Sequence, residues 1–306
     1  MGGGPYPGLT ARDGGCAIGG RTMMQQDGHF PVTDAPNTAR RTALITGASA
    51  GIGKCFAEHY AACGHDLILT ARRTDRLEAL AAQLAADHGI TTTVIAGDMA
   101  DPATPQRLWT EITGRGLTVD VLINNAGYGM TNNFVDYPWT EHRDFIQVMI
   151  TAYAELCHLA LPGMLERRHG RIINVASLAG LAPGTIGHTL YGASKAFLIK
   201  MSESLSLETE GTGVHVTAVN PGFTRSEFHT TAGVQETVDR MPKWMWMQAK
   251  DVVAETHAAS EAGRATVIPG RANRMTAFIL RHVPANLALT LSRRRSAMQD
   301  DAAGKA

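Results

Sequence analysis

The chain has 306 residues, 44% of them hydrophobic and 18% charged, a globular balance that excludes disorder across its body. Lysine plus arginine equals aspartate plus glutamate at 28 each, so no net field draws it to nucleic acid, and no basic–aromatic pattern supports that partner. Cys16, Cys55, Cys63 and Cys157 show no CxxC pair and no Cys/His metal spacing, which fits reduced thiols in a cytoplasmic protein and implies no metal.

In chain order, residues 1–40 come first, rich in Gly and Pro and without apolar period. They read as a flexible N-terminal extension, and Met23 and Met24 offer a later translation start. No secretory signal is expected there, and no apolar stretch anywhere approaches the roughly 20 residues that span a bilayer. From residue 42, short apolar runs alternate with helix-like runs. The strand expectations are Thr42–Thr46, Asp66–Thr70, Thr93–Ala96, Val119–Ile123, Arg171–Val175, Val214–Val219 and Ala265–Ile268. Ala- and Leu-rich stretches such as Arg76–Ala86 separate them at helical spacing. Seven unalternated strands between helices predict an α/β fold: one Rossmann-type domain over residues 41–270, with a doubly wound parallel seven-stranded sheet. Residues 271–306 form an amphipathic, basic tail.

The first strand runs into Thr46-Gly47-Ala48-Ser49-Ala50-Gly51-Ile52-Gly53 and then a helix. In this GxxxGxG spacing Gly47 turns the backbone, Gly51 leaves room for a pyrophosphate and Gly53 permits close helix–strand packing. The helix start offers free N–H groups and a positive dipole end to phosphates. At the end of the second strand, Arg72-Arg73 stand where NAD-binding sheets place an acid. That contrast favours NADP(H) over NAD(H), with Arg72 the stronger candidate for the 2′-phosphate.

Further along, Tyr191 and Lys195 lie at i and i+4 on one helical face. An ammonium beside a phenol lowers its pKa from ~10 and makes tyrosine a usable general acid/base. Ser177, just beyond the strand Arg171–Val175, reaches the crevice where open α/β sheets bind ligands.

Together with Asn124-Asn125-Ala126-Gly127 and Asn220-Pro221-Gly222, these motifs resemble the short-chain dehydrogenase/reductase family, in its order and spacing, over roughly residues 42–270. The resemblance implies an NADP(H)-dependent oxidoreductase that moves a hydride between nicotinamide and a carbonyl or secondary alcohol, often as a dimer or tetramer. It makes Tyr191 the proton donor or acceptor, sets Ser177 on the substrate oxygen, and gives Lys195 the nicotinamide ribose and the tuning of Tyr191. Gly47, Ser49, Gly51, Ile52, Gly53, Arg72, Asn125 and Gly127 then line the cofactor, with Asp98 near the adenine and Pro221, Gly222 and Thr224 around the nicotinamide. One departure stands out. The family's usual Asn, whose main-chain carbonyl holds a relay water, is replaced by Met149, so an active enzyme with an altered relay is expected.

Met241-Pro242-Lys243-Trp244-Met245-Trp246-Met247 falls where this family places its substrate lid, and it suggests a hydrophobic ketone and a role in lipid metabolism. Alternatives are a 3-oxoacyl thioester reductase and a catalytically weak NADP-binding sensor or scaffold. The tail, with Met275–Leu280, Leu287–Leu291 and Arg293-Arg294-Arg295, is expected to cover the cleft or a subunit interface. Its alternative is peripheral contact with an anionic membrane.

Overall fold

Thr42–Thr46 form the first strand, β1, and all five residues are buried because helices cover both faces of the sheet. The computed structural model describes residues 40–225 and 242–283, with 287, 289 and 290 beyond them. The basic group Arg293–Arg295, the extension up to residue 39 and Met241 lie outside the described residues.

β1 pairs in parallel with β2 (Asp66–Thr70), which continues to β3 (Thr92–Val94), and on its other side with β4 (Val121–Asn124). β5 (Gly170–Val175) and β6 (Val214–Val219) extend the sheet beyond β4. Two short strands, β7 (Thr224–Arg225) and β8 (Met247–Gln248), pair only with each other, and β9 (Thr266–Val267) closes the far edge. The order β3-β2-β1-β4-β5-β6-β9 reverses between β1 and β4, which opens a crevice at the strands' C-terminal ends. This is the expected seven-stranded parallel sheet.

The described helices are α1 (Gly51–Ala62), α2 (Thr74–His88), α3 (Thr104–Gly114), α4 (Trp139–Ile146), α5 (Ala152–Glu166), α6 (Thr189–Glu208), α7 (Ala249–Glu261) and α8 (Arg271–His282). Alternation along the strands divides the core between two layers. Ala43 and Ile45 pack with Phe56, Tyr60, Leu77 and Val252 of α1, α2 and α7. Leu44, one residue over, packs with Leu108, Phe145 and Leu156 of α3, α4 and α5. A one-residue slip of β1 would exchange these sets, so the register is fixed by both faces at once.

Element ends differ from expectation where side chains decide them. β4 runs through Asn124, whose amide nitrogen finds its partner inside the core: Asn124 Nδ2 donates to Asn174 Oδ1 at 2.9 Å, its register partner on β5. Asn174 Nδ2 in turn donates to Ser202 Oγ of α6 at 2.9 Å. α2 extends past the expected Arg76–Ala86 at both ends and stops at Gly89, whose φ of +62° is the usual left-handed cap.

One expectation is corrected. The continuous helical stretch Trp139–Glu166, 28 residues long, contains an 18-residue window of mean hydropathy 1.4, enough by length and composition alone to cross a bilayer. The sequence hid it because α4 and α5 join through a π-helical turn, Gln147–Thr151, with polar residues interrupting the apolar run. Tyr153, Leu156, Cys157, Ala160 and Met164 of this stretch are buried against the sheet and its neighbours.

The buried Asn124–Asn174–Ser202 chain joins β4, β5 and α6, the three elements that carry the candidate site. Removing its centre takes a 2.9 Å partner from each neighbour, leaving Asn124 Nδ2 only its longer contacts to the Tyr153 carbonyl and Cys157 Sγ, and Ser202 Oγ only its bond to the Leu198 carbonyl. Asn174→Ala is therefore expected to lower unfolding stability by about 1–3 kcal/mol, read from urea denaturation midpoints.

Candidate active site

The loop after β1 is shaped by absent side chains. Gly47 and Gly51 hold φ of +66° and +57°, a region that side-chain-bearing residues adopt at a cost. A Cβ on Gly53 would strike the Gly47 carbonyl and the Asn125 amide. Asn125 clamps the loop, donating from Nδ2 to the Thr46 and Gly47 carbonyls at 3.0 and 3.3 Å. The Thr46 hydroxyl accepts the backbone N–H groups of Asn125 and Ala126 at 2.9 and 3.0 Å. Thus the β1 and β4 ends are bolted together below the crevice.

α1 begins at Ala50 with no side-chain cap and no acidic residue in its first turn. Ala as N-cap costs ~1 kcal/mol relative to Ser or Asp. Among the described residues no side chain claims the helix's first N–H groups, an arrangement suited to an anion. Beside it, Arg73 turns back to donate to Ser49 Oγ at 3.1 Å, while Arg72 is exposed at the β2 end. The fields of both Arg72 and Asp98 reach the phenol of Tyr128, which burial pushes up to about 12. Asp98 is exposed and accepts the Ala100 N–H at 3.1 Å. The loop, both arginines and Asp98 therefore border one end of the crevice.

At the other end, β5 delivers Ser177 and α6 delivers Tyr191 and Lys195. Ser177 Oγ accepts the Ala179 N–H at 3.1 Å, which fixes its rotamer, and it is hydrogen-bonded to the Tyr191 side chain. Lys195 is buried and donates from Nζ to the Val175 carbonyl at 2.7 Å. Its Nζ lies 5.7 Å from the Tyr191 ring centre and 5.8 Å from that of Tyr153. The structure brings all three expected catalytic residues together.

Their electrostatics differ from expectation. Burial raises the Tyr191 phenol above its ordinary value, opposed by the hydrogen bond with Ser177. Burial also brings Lys195 down to about 7. The amine is paired with a neutral carbonyl and no carboxylate, so desolvation dominates its charge state. In this geometry the hydrogen bond with Ser177 favours the phenolate.

The short chain dehydrogenase family model matches residues 41–237. The chain belongs to this family. Serine 3-dehydrogenase of Rhizobium radiobacter is 34% identical over 219 residues, covering 70% of this chain and 85% of that protein. A short-chain dehydrogenase from Sphingobium yanoikuyae, solved in complex with NADPH, is 32% identical with a TM-score of 0.69 and covers 85% of this chain and 96% of its own. The bulky-bulky ketone specific alcohol dehydrogenase from Comamonas testosteroni is 29% identical with a TM-score of 0.66, covering 85% and 94%.

Within this short-chain dehydrogenase the remaining expected residues fall around the same crevice. Ile52 packs partly onto the core beneath the loop. Pro221 accepts the Leu178 N–H through its carbonyl at 3.0 Å, tying its loop to the Ser177 turn. Thr224 is buried and donates from Oγ1 to the Gly222 carbonyl at 3.1 Å. Gly222 faces Asn273 of α8 so closely that a Cβ there would collide with the amide. The tail's first helix thus walls the Pro221–Thr224 loop. Gly127 meets Met149, whose Sδ would sit 2.7 Å from an added Cβ. Met149 itself is wholly buried within the π-helical turn, so its thioether packs beneath the Asn125–Gly127 loop.

Two residues of the site were not expected. Gly180 lets α6 approach the Ser177 turn: a Cβ there would lie 2.6 Å from the Lys195 backbone carbon. Tyr153 donates to the Ala126 carbonyl at 3.0 Å and walls the Lys195 amine. The signal for Tyr153 was its place one helical turn after Met149.

The expected lid run divides. Met247 packs partly against the core, Trp246 lies 5.7 Å from Phe223 with Arg225 over its ring at 5.4 Å, and Trp244 is exposed. β7 and β8 join this run to the Pro221–Thr224 loop, a pairing that two-residue strands do not reveal in sequence.

The lowered Lys195 pKa gives a stability prediction. Between about pH 7 and 10.5 the unfolded chain keeps a proton at this position that the folded chain sheds, so this group makes stability rise with pH across that window. Lys195→Met is expected to be inactive yet no less stable than wild type at pH 7. Urea midpoints should show its advantage shrinking as pH rises toward 10.5.

Proposed function

We propose that this short-chain dehydrogenase is an NADP(H)-dependent reductase of a lipophilic ketone, with Tyr191 as its general acid. The observation that carries the reading is the Ser177–Tyr191 hydrogen bond beside buried Lys195, at the same sheet edge as an uncapped α1 start.

The residues present fit a dinucleotide phosphate. The α1 start lacks a cap, Gly53 keeps the loop within reach of the helix, and Arg72 and Arg73 add positive charge where a 2′-phosphate would be met. NADP(H), when bound, supplies or accepts the hydride. Ser177 and Tyr191 would hold the substrate oxygen through their hydroxyls, and Tyr191 would hand its proton to the oxygen as negative charge develops there. Lys195, close to half-protonated near neutral pH, would hold or return a proton behind Tyr191. Asn125 and Gly127 form the cofactor floor, and Pro221, Gly222 and Thr224 the wall beside the reacting carbon. The assembled trio weighs against a silent sensor or scaffold.

The substrate class rests on the lid: Phe223, Met245 and Trp246 are half-buried around β7 and β8, an apolar and adaptable surface. The bulky ketone specificity in the name of the Comamonas enzyme supports the same choice. Free Cys55, Cys63 and Cys157 support a reducing, cytoplasmic setting, and the exposed Met275, Phe278 and Ile279 of α8 support a homo-oligomer.

Tyr191→Phe is expected to lower the rate of NADPH oxidation by about 10²–10⁴-fold while NADPH binding persists. A carbonyl panel should favour fatty or bulky ketones, and a preference for small polar carbonyls would count against the substrate class. Arg72→Ala with Arg73→Ala should weaken NADPH binding by about 10-fold or more and leave NADH binding nearly unchanged, read by fluorescence titration.

A further inference from the structure

At the end of the sheet away from the crevice, α1 and α7 bring together three groups that the reductase reading does not use. His59 Nε2 and His257 Nδ1 face each other at 2.6 Å, and Cys63 Sγ lies 3.8 Å from the same His59 nitrogen. All three ligand atoms fall within 4.8 Å of one another. His59 and Cys63 are four apart, one helical turn, a spacing unlike the usual CxxC and Cys/His ligand patterns; His257 arrives from nearly two hundred residues away.

We propose that His59, Cys63 and His257 form a binding site for a zinc-class dication that staples the last turn of α1 to α7. Two imidazoles and a thiolate are the donor set that borderline dications prefer. Tetrahedral zinc, with bonds of about 2.0–2.3 Å, would set its nitrogens about 3.3 Å apart and each nitrogen about 3.6 Å from the sulfur. The imidazoles therefore have to part by about 0.7 Å, and the thiol has to close by about 0.2 Å on His59 and by up to about 1.2 Å on His257, movements within side-chain rotation. Cys63 is exposed, so the fourth vertex opens to water.

The surroundings are those of a supported ligand set. The other nitrogen of His257, Nε2, lies 3.9 Å from Glu261 Oε1, beyond hydrogen-bond reach here but placed to become the carboxylate partner of a ligating imidazole after a small ring movement. Glu261 is itself fixed by both arms of the Arg171 guanidinium at 3.0 Å. The buried ring of Tyr60 packs against His59 and His257, with centroids 5.7 and 5.2 Å away.

The test is titration of the metal-stripped full chain with Zn²⁺ and with Co²⁺ as spectroscopic probe. One equivalent should bind, the cobalt adduct should show a thiolate charge-transfer band, and zinc should raise the thermal midpoint. Cys63→Ser should remove that band, and His257→Ala should weaken zinc binding by about 100-fold, whereas Cys16→Ser should change neither. Both Cys63 and His257 lie outside the catalytic crevice, so turnover of the two variants should match wild type. Failure to bind one equivalent at about 100 µM free zinc, or equal affinity in wild type and His257→Ala, would overturn the proposal and leave a simple imidazole–imidazole hydrogen bond. Neither result bears on the reductase reading.

Discussion

A lysine amine with no anionic partner, anchored to the Val175 carbonyl and walled by two tyrosine rings, is the constraint around which the site is built. Removing an ammonium from water without a countercharge is costly, so the fold accepts a proton affinity near neutrality instead. The amine is held there with β4, β5 and α6 locked together beneath it by the Asn124–Asn174–Ser202 chain.

Close backbone approach is the second theme. Gly53 presses α1 onto the loop, Gly180 presses α6 onto the Ser177 turn, Gly127 admits Met149 and Gly222 admits Asn273. Each lets two backbone segments, or a backbone and a buried side chain, meet nearer than a Cβ would permit. The positions of Ser177, Tyr191 and the phosphate loop are thus set by what is missing at four points in the chain.

Met149 shows how a sequence departure is absorbed. Its apolar side chain fills the space under the Gly127 loop, and the backbone around it forms a π-helical turn, a feature that recurs at functional sites. Tyr153, one turn later, then supplies a hydroxyl to the Ala126 carbonyl and a ring to Lys195. The Asn125–Gly127 loop is supported by a packed thioether and a phenol.

Much was legible without coordinates because it is local. Unalternated apolar runs announce strands buried on both faces, and helices between them force parallel pairing. The glycine spacing after Thr46 and the i,i+4 pair Tyr191/Lys195 each state a geometry within a single turn or helix. What the tertiary structure alone decided involves groups distant in sequence. Burial, which no window reveals, raises Tyr191 against its hydrogen bond with Ser177 and lowers Lys195. The Arg73–Ser49 bond, the Gly180–Lys195 approach and the meeting of His59 with His257 arise from chain segments that sequence keeps apart. Periodicity is a property of one segment, whereas desolvation and contact are properties of the packed whole.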